Sequence, residues 1–226
     1  MKKTVSLPYM LMGILFCVCL AVSNFLETKV ISLGPVIATA GMLVFPVSYI
    51  INDCIAEVWG YKKTRFIIWT GFAVNFLVVC LTQTAIKIPS PDFWEGEESF
   101  NFVFGLNVRI VIASLCAFLV GSFLNALVMS KMKISLKGKN FSLRAVVSTI
   151  AGESADSLIF FPIAFAGLLT TGELLLMMLT QASLKSLYEI IVLPLTIQIV
   201  KYVKKIDGND VYDRNISFSP FKIKDI

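Results

Sequence analysis

Seven charged side chains stand inside stretches that are otherwise apolar: Asp53, Glu57, Arg109, Glu153, Asp156, Lys185 and Glu189. Asp53 and Glu57 are four apart, Glu153 and Asp156 three, Lys185 and Glu189 four, so on a helix each pair shares a face. A charge at the centre of a membrane helix costs about 2.5–3.5 kcal/mol on insertion scales, and such groups face a bundle interior or a wet cavity. Carboxylates outnumber bases five to two in this set. The surplus must be protonated, hydrated or paired with a ligand, which suits a cavity that binds a polar solute or exchanges protons. A plainer reading stands beside it, in which the charges only hold helices together. Lys185 and Glu189 could then satisfy each other, and Asp53 and Glu57 could reach toward Lys62, Lys63 or Arg65. Asn52, Asn75 and Asn125 add amides to the same apolar stretches.

Several chemistries have no residues to carry them. The chain has no histidine, which removes the commonest metal ligand and the usual proton switch, so proton handling falls to carboxylates. HExxH, GxSxG and the phosphate-cradling GxxxxGK[ST] are all missing from the sequence, and Asp53 with Asp156 is the one pair on offer for an intramembrane aspartyl enzyme. We expect no catalysis, no cofactor and no metal. Cys17, Cys19, Cys54, Cys80 and Cys116 lie in or at the ends of apolar runs without CxxC spacing, and read as small buried residues.

The elements that must position the charges are helices. Of 226 residues 57% are hydrophobic and 15% charged, against about 25% charged in a soluble domain. The apolar residues come in long runs, without the alternating segments of a β-barrel. The expectation is an all-α, polytopic membrane protein with six transmembrane helices near 8–26, 35–58, 65–86, 107–130, 144–169 and 174–203. These form one domain over 1–206, followed by a short polar tail over 207–226. The first run, preceded by Lys2 and Lys3, reads as an uncleaved span rather than a signal peptide. Lys2 and Lys3, then Lys62, Lys63 and Arg65, then Lys131, Lys133, Lys137, Lys139 and Arg144, then Lys201, Lys204 and Lys205 fall on one side only if both termini are cytoplasmic. That alternation assigns the net charge of +5 to topology and not to nucleic-acid binding. Pro46, Pro162 and Pro194 sit in the spans that carry the acids, where each frees a backbone carbonyl or bends the helix. The aromatic loop over 87–106 reads as an interfacial belt or as a lid over an outer cavity. Two three-span halves would have inverted topology if they were repeats, and so few helices leave a homodimer open.

SNFLETK (23–29), FPVSYIINDCIAEVWGYKKTR (45–65), FGLNVRIVIASLCAFLVGSFLNALV (104–128), STIAGESADSLIFFPIAFAG (148–167) and LKSLYEIIVLPLTIQIV (184–200) resemble the queuosine precursor transporter family, once grouped as vitamin-uptake-like transporters. The resemblance covers about 20–203. It implies an inner-membrane importer of 7-cyano-7-deazaguanine, 7-aminomethyl-7-deazaguanine or queuine for tRNA modification, without an ATPase of its own. It points to Asn24, Lys29, Asp53, Glu57, Arg109, Asp156, Lys185 and Pro194, and the chain departs from the family pattern at Glu153 and Asn125. The chemistry agrees: a deazaguanine offers N1–H and an exocyclic amine side by side to a carboxylate, and its O6 asks for a donor such as Lys185, Asn52 or Asn125. Its flat face suits an aromatic shelf from Phe45, Tyr49, Phe161 or Tyr188. The expected site is therefore a midplane acidic cavity formed by Asn24, Phe45, Asn52, Asp53, Glu57, Arg109, Glu153, Asp156, Lys185, Tyr188 and Glu189, with Asp156 and Glu189 recognising the base. Asp53 and Glu57 would form an inner gate or proton site, with proton or cation coupling, and Arg109 would mark the outer mouth. Two alternatives remain at this point: a substrate-binding subunit of an energy-coupling-factor transporter, and a membrane scaffold with structural ion pairs.

Overall fold

The computed structural model describes residues 5–33, 36–105 and 108–222; Lys2 and Lys3, counted above for orientation, lie outside the described residues. The elements are α1 (Leu7–Leu26), β1 (Val30–Leu33), β2 (Val36–Thr39), a 3₁₀ turn (Ala40–Leu43), α2 (Phe45–Lys87), α3 (Glu97–Phe104), α4 (Val108–Ser135), α5 (Phe141–Phe165) and α6 (Thr171–Asp207). Among the described residues, five helical stretches, carrying α1, α2, α4, α5 and α6, are long and apolar enough to cross a membrane.

Two details differ from the sequence reading. Of the span expected over 35–58, residues 36–44 are not α-helical: β1 and β2 form an antiparallel ladder with Val30 opposite Thr39, and the α-helix begins at Phe45. An apolar run read by hydropathy does not distinguish strand from helix. Pro46 consequently sits in the first turn of α2, where a missing N–H costs nothing, while Pro162 and Pro194 are interior. The five cysteines are free; Cys54 is buried as expected, but Cys17 and Cys19 are half-buried and Cys80 and Cys116 are exposed on their helices.

Contacts fix the directions of the helices. Tyr49 packs on Gly121, Asn52 bonds Asn125, and Ala56 packs with Met129, so the first part of α2 runs alongside α4 in the same direction. Beyond Gly60 the chain turns back. Trp69 meets Phe123, and Val79 shares a cavity with Ile110, so 61–87 runs against α4. Along this second arm Tyr9 meets Lys63, Gly13 sits under Ile67, and Asn24 meets Asn75, so α1 runs with it. α5 runs against both α4 and α6: Gly152 lies on Gly121, Ala145 on Met129, and Lys185 meets Asp156. At Gly121 and Gly152 an added Cβ would stand 2.9 Å from the other helix's carbonyl oxygen, so the two backbones cross with no room for side chains.

The reversal is built on Gly60, whose φ of 79° and ψ of 173° belong to a region essentially reserved for glycine. The tail over 208–222 wraps over this turn instead of standing free in solvent. Asp213 accepts from Tyr61 N–H at 2.7 Å and from the Ser130 hydroxyl, capping the second arm from a distance in sequence. Val211 N–H donates to the Val58 carbonyl, Tyr61 to that of Phe218, Arg65 to that of Ser219 and Trp69 to that of Pro220. A Cβ at position 60 would meet Asp213 Oδ1 at 2.6 Å. Gly60→Ala should therefore destabilise the protein by about 1–3 kcal/mol and loosen the tail, read as a lower thermal midpoint in detergent and faster tail proteolysis.

Asp210 ties the same tail to Lys133 at 2.6 Å and to Lys204 at 2.8 Å. Partial burial raises the pKa of this carboxyl, but the hydrogen bonds from the two lysines outweigh it and hold it below the ordinary aspartate value. A depressed carboxyl pKa stabilises the folded form above the unfolded pKa of about 3.9, and that contribution is lost as pH falls below it. Tail release followed by Trp59 and Trp69 fluorescence is expected below about pH 4, and Asp210→Asn should flatten that acid limb.

Candidate functional site

A cavity of about 410 Å³ opens at the end of the bundle that carries the β1–β2 hairpin. Asn24, Glu27, Thr28, Thr39, Val79 and Phe165 line it toward that end, and Phe45, Asp156, Phe160, Phe161 and Lys185 form its deeper wall. Lys185 Nζ stands 3.0 Å from Glu153 Oε2 and 3.3 Å from Asp156 Oδ2, and lies 4.1 Å from the centroid of the Phe45 ring. The cation is thus held by two carboxylates three residues apart on α5 and by an aromatic face on α2. Glu153 is 1% exposed and spends its charge on Lys185, whereas Asp156 also faces the cavity. Asn24 donates to Asn75 at 2.7 Å, leaving amide groups on the opposite wall.

Of the expected site residues, then, Asn24, Phe45, Asp156 and Lys185 line this cavity and Glu153 stands directly behind it. The others lie elsewhere. Asn52 donates to Asn125 Oδ1 at 2.8 Å and to the Ser122 carbonyl, tying α2 to α4. The Tyr188 hydroxyl donates to the Leu43 carbonyl at 3.4 Å. Arg109 donates to the carbonyls of Ile163 and Ala166, where the last turn of α5 leaves acceptors over. Asp53 and Glu189 face one another deeper in the bundle. Lys185 pairs with α5 and not with Glu189, its neighbour on α6.

Glu57 is committed to a separate cluster. It is 1% exposed and accepts from Arg144 through both carboxylate oxygens and from Lys204 at 2.6 Å, with Lys133 Nζ at 3.7 Å. Lys133 also donates to the Glu57 carbonyl and to Asp210. Four elements and the tail meet at this carboxylate, which seals the end of the bundle opposite the cavity mouth. Its partners are not Lys62, Lys63 or Arg65; Arg65 spends its guanidinium on tail carbonyls.

Sequence reasoning missed Glu27, Gln181 and Ser114 in the lining, and the share taken by α1 and the second arm of α2. Glu27 lies just past the end of the first span, where polar residues are commonplace, and Gln181 is a single uncharged polar residue within α6; both carry little signal. None of residues 87–105 lines the cavity; Phe93 and Phe102 are largely exposed while Phe104 packs on Phe25.

The family described as "Putative vitamin uptake transporter" matches residues 39–199, most of the chain and all of the cavity lining except Asn24, Glu27 and Thr28. The chain belongs to this family. Curated relatives include a "Probable queuosine precursor transporter" of Haemophilus influenzae, 29% identical over 57% of this chain and 52% of that protein. Another of that name in Bacillus subtilis is 24% identical over 65% of this chain and 64% of its own length. The "Queuosine precursor transporter" of Escherichia coli is 27% identical over 63% and 62%. The matched part thus spans about half to just under two thirds of these relatives' lengths. No solved structure matches the chain. The family is one of transporters, not of enzymes, and with its apolar helices the chain is a multi-pass membrane protein.

Proposed function

We propose that this protein imports queuosine precursors, 7-cyano-7-deazaguanine, 7-aminomethyl-7-deazaguanine or queuine, across the inner membrane. The observation that carries the reading is the placement of Asp156 and Lys185 side by side in the wall of a cavity also lined by Phe45 and Phe161. Its volume falls in the range of about 300–1,000 Å³ typical of small-molecule sites. Asp156 accepts from N1–H and the exocyclic amine of the base, Lys185 donates to O6, and the aromatic rings cover its face. The cavity is mildly acidic, with Glu27 and Asp156 against Lys185 in its lining. The names of the curated relatives support the same substrate class.

The membrane is crossed six times, with the two arms of α2 counted separately and both termini in the cytoplasm. The first arm holds about 15 helical residues, roughly 22 Å, too short for a core of about 30 Å. The 3₁₀ turn and β2 complete that crossing; non-helical backbone at such depth is tolerated where it lines a water-filled cavity, and Thr39 lines this one. Lys62, Lys63, Arg65, Lys131, Lys133, Arg144 and Lys204 gather at the tail end, which supports a reading with that end inside and the cavity mouth outside.

The test is uptake of labelled 7-cyano-7-deazaguanine into cells that cannot make it, in a host without an energy-coupling-factor ATPase module, with queuosine in tRNA as readout. Import by this chain alone supports the proposal; no uptake at normal membrane levels rejects the substrate, and uptake only with the ATPase module makes the chain a binding subunit.

A further inference from the structure

Between the cavity wall and the Glu57 cluster lies a third group of acids that neither uses. Asp53 on α2 and Glu189 on α6 face each other, 0% and 2% exposed. Among the described residues no lysine or arginine nitrogen lies within 4.0 Å of either carboxylate: Lys185 is held by Glu153 and Asp156, and Arg144, Lys133 and Lys204 by Glu57. The surroundings are polar but uncharged. The Ser148 hydroxyl lies 3.4 and 3.5 Å from the two Asp53 oxygens, Asn125 turns its amide toward Asp53, and the Thr149 hydroxyl lies beside Glu189. Both Glu189 oxygens and the Asn52 Oδ1 atom are buried without a hydrogen-bond donor. Two facing carboxylates, desolvated and without a cation, cannot both keep their charge; one proton held between them removes the repulsion and supplies the missing donor.

We propose that Asp53 and Glu189 form the coupling site of this transporter, binding one proton in the outward-open form and releasing it when the tail end opens. The proposal rests on the import reading for the solute it drives, but the proton site itself stands on the pair. The position fits: Asp53 is one helical turn from Glu57 on α2, Glu189 one turn from Lys185 on α6, so the pair lies between the solute wall and the inner seal. A movement that separates α2 from α6 exposes the pair to water and lets it ionise. Asn125 turns an N–H toward Asp53, and such a group cannot ligate a metal cation, whose shell would be oxygen alone. The other titratable groups facing the pair are Tyr49, Cys54 and Glu57 on α2 and Glu153 on α5. Glu57 and Glu153 already have cations, and α4 contributes Asn125 and Ser122, which do not titrate.

Two arms test this. The first needs no solute: infrared spectra of the purified full chain in lipid are compared between neutral and alkaline pH. Wild type should carry a protonated-carboxyl band at neutral pH that is lost in Asp53→Asn/Glu189→Gln. A wild type without the band, or a double variant that keeps it, overturns the proposal; if the double variant does not fold, the single variants must move the band's titration. The second arm uses proteoliposomes, labelled 7-cyano-7-deazaguanine and a clamped membrane potential. One pH unit, acid outside, should drive about tenfold accumulation if one proton accompanies each solute. Glu189→Gln should lower the ratio of driven accumulation to solute exchange by about the same factor. Accumulation driven by a sodium gradient and indifferent to pH sinks the proton assignment. Wild type that shows neither exchange nor accumulation defeats the import reading, and the infrared arm then decides the proton site alone.

Discussion

Replacing Glu57 by glutamine is expected to cost about 3–5 kcal/mol, the penalty for removing one partner of a buried ion pair. The side chain keeps its shape, so the loss is one of charge. Arg144 is 0% exposed and Lys133 2%, and both are brought into the bundle by this carboxylate. Without it, Arg144, Lys133 and Lys204 would share only Asp210, which contacts the two lysines and not Arg144. The expected observation is a strongly lowered thermal midpoint in detergent. Glu57→Gln combined with Arg144→Met should recover part of the loss, because an uncharged pair leaves no uncompensated guanidinium. If the double variant is as unstable as the sum of the singles, the cluster is not acting through charge pairing. The same cluster closes the end opposite the cavity mouth, so weakening it should also raise the reactivity of Cys54, now 1% exposed, toward a water-soluble thiol reagent.

This cluster also marks the boundary of what sequence could reveal. That Glu57 is buried follows from its place in an apolar run, and that five acids share too few bases follows from counting. The partners do not follow. Arg144, Lys133 and Lys204 read as orientation charges in loops, since positive charges beside spans ordinarily serve topology. Their recruitment by a single carboxylate depends on α2, α4, α5 and α6 converging, and nothing local signals it. The helices themselves were legible because long apolar runs have few other solutions. The hairpin before Phe45 was not, since VIATAGMLV is apolar enough for either structure. The tail reads as short and polar; its anchors, Asp213 and Phe218, acquire meaning only beside Gly60, whose backbone conformation no pattern announces. At the solute site, Asp156 and Lys185 could be placed at mid-depth by counting residues, and the structure brings them together. Glu189, four residues from Lys185, shares its helix face but meets Asp53 instead, because the face is broad and α2 and α5 divide it between them.

The proposed site predicts a loss that depends on the ligand and not only on the protein. Asp156→Asn keeps the size of the side chain but replaces a charged double acceptor with an amide that can accept through one oxygen alone. Two charge-assisted hydrogen bonds, each worth about 1.5–3 kcal/mol net, are then weakened, so affinity for 7-cyano-7-deazaguanine should fall on the order of a hundredfold. An analogue lacking the exocyclic amine makes only one of those bonds and should lose on the order of tenfold. The measurement is binding to purified wild type and variant, side by side, for both ligands. A merely structural role for Asp156 predicts equal losses for the two, together with a lowered thermal midpoint; the binding role predicts a midpoint near that of wild type, since Lys185 would still be paired with Glu153 at 3.0 Å and the cation would remain neutralised. Lys185→Met supplies the converse. It leaves Glu153 and Asp156 facing each other without their cation, so it should damage stability as well as binding. The ligand-dependent loss in Asp156→Asn, absent any comparable loss of stability, is what separates a wall that reads the base from a wall that only packs.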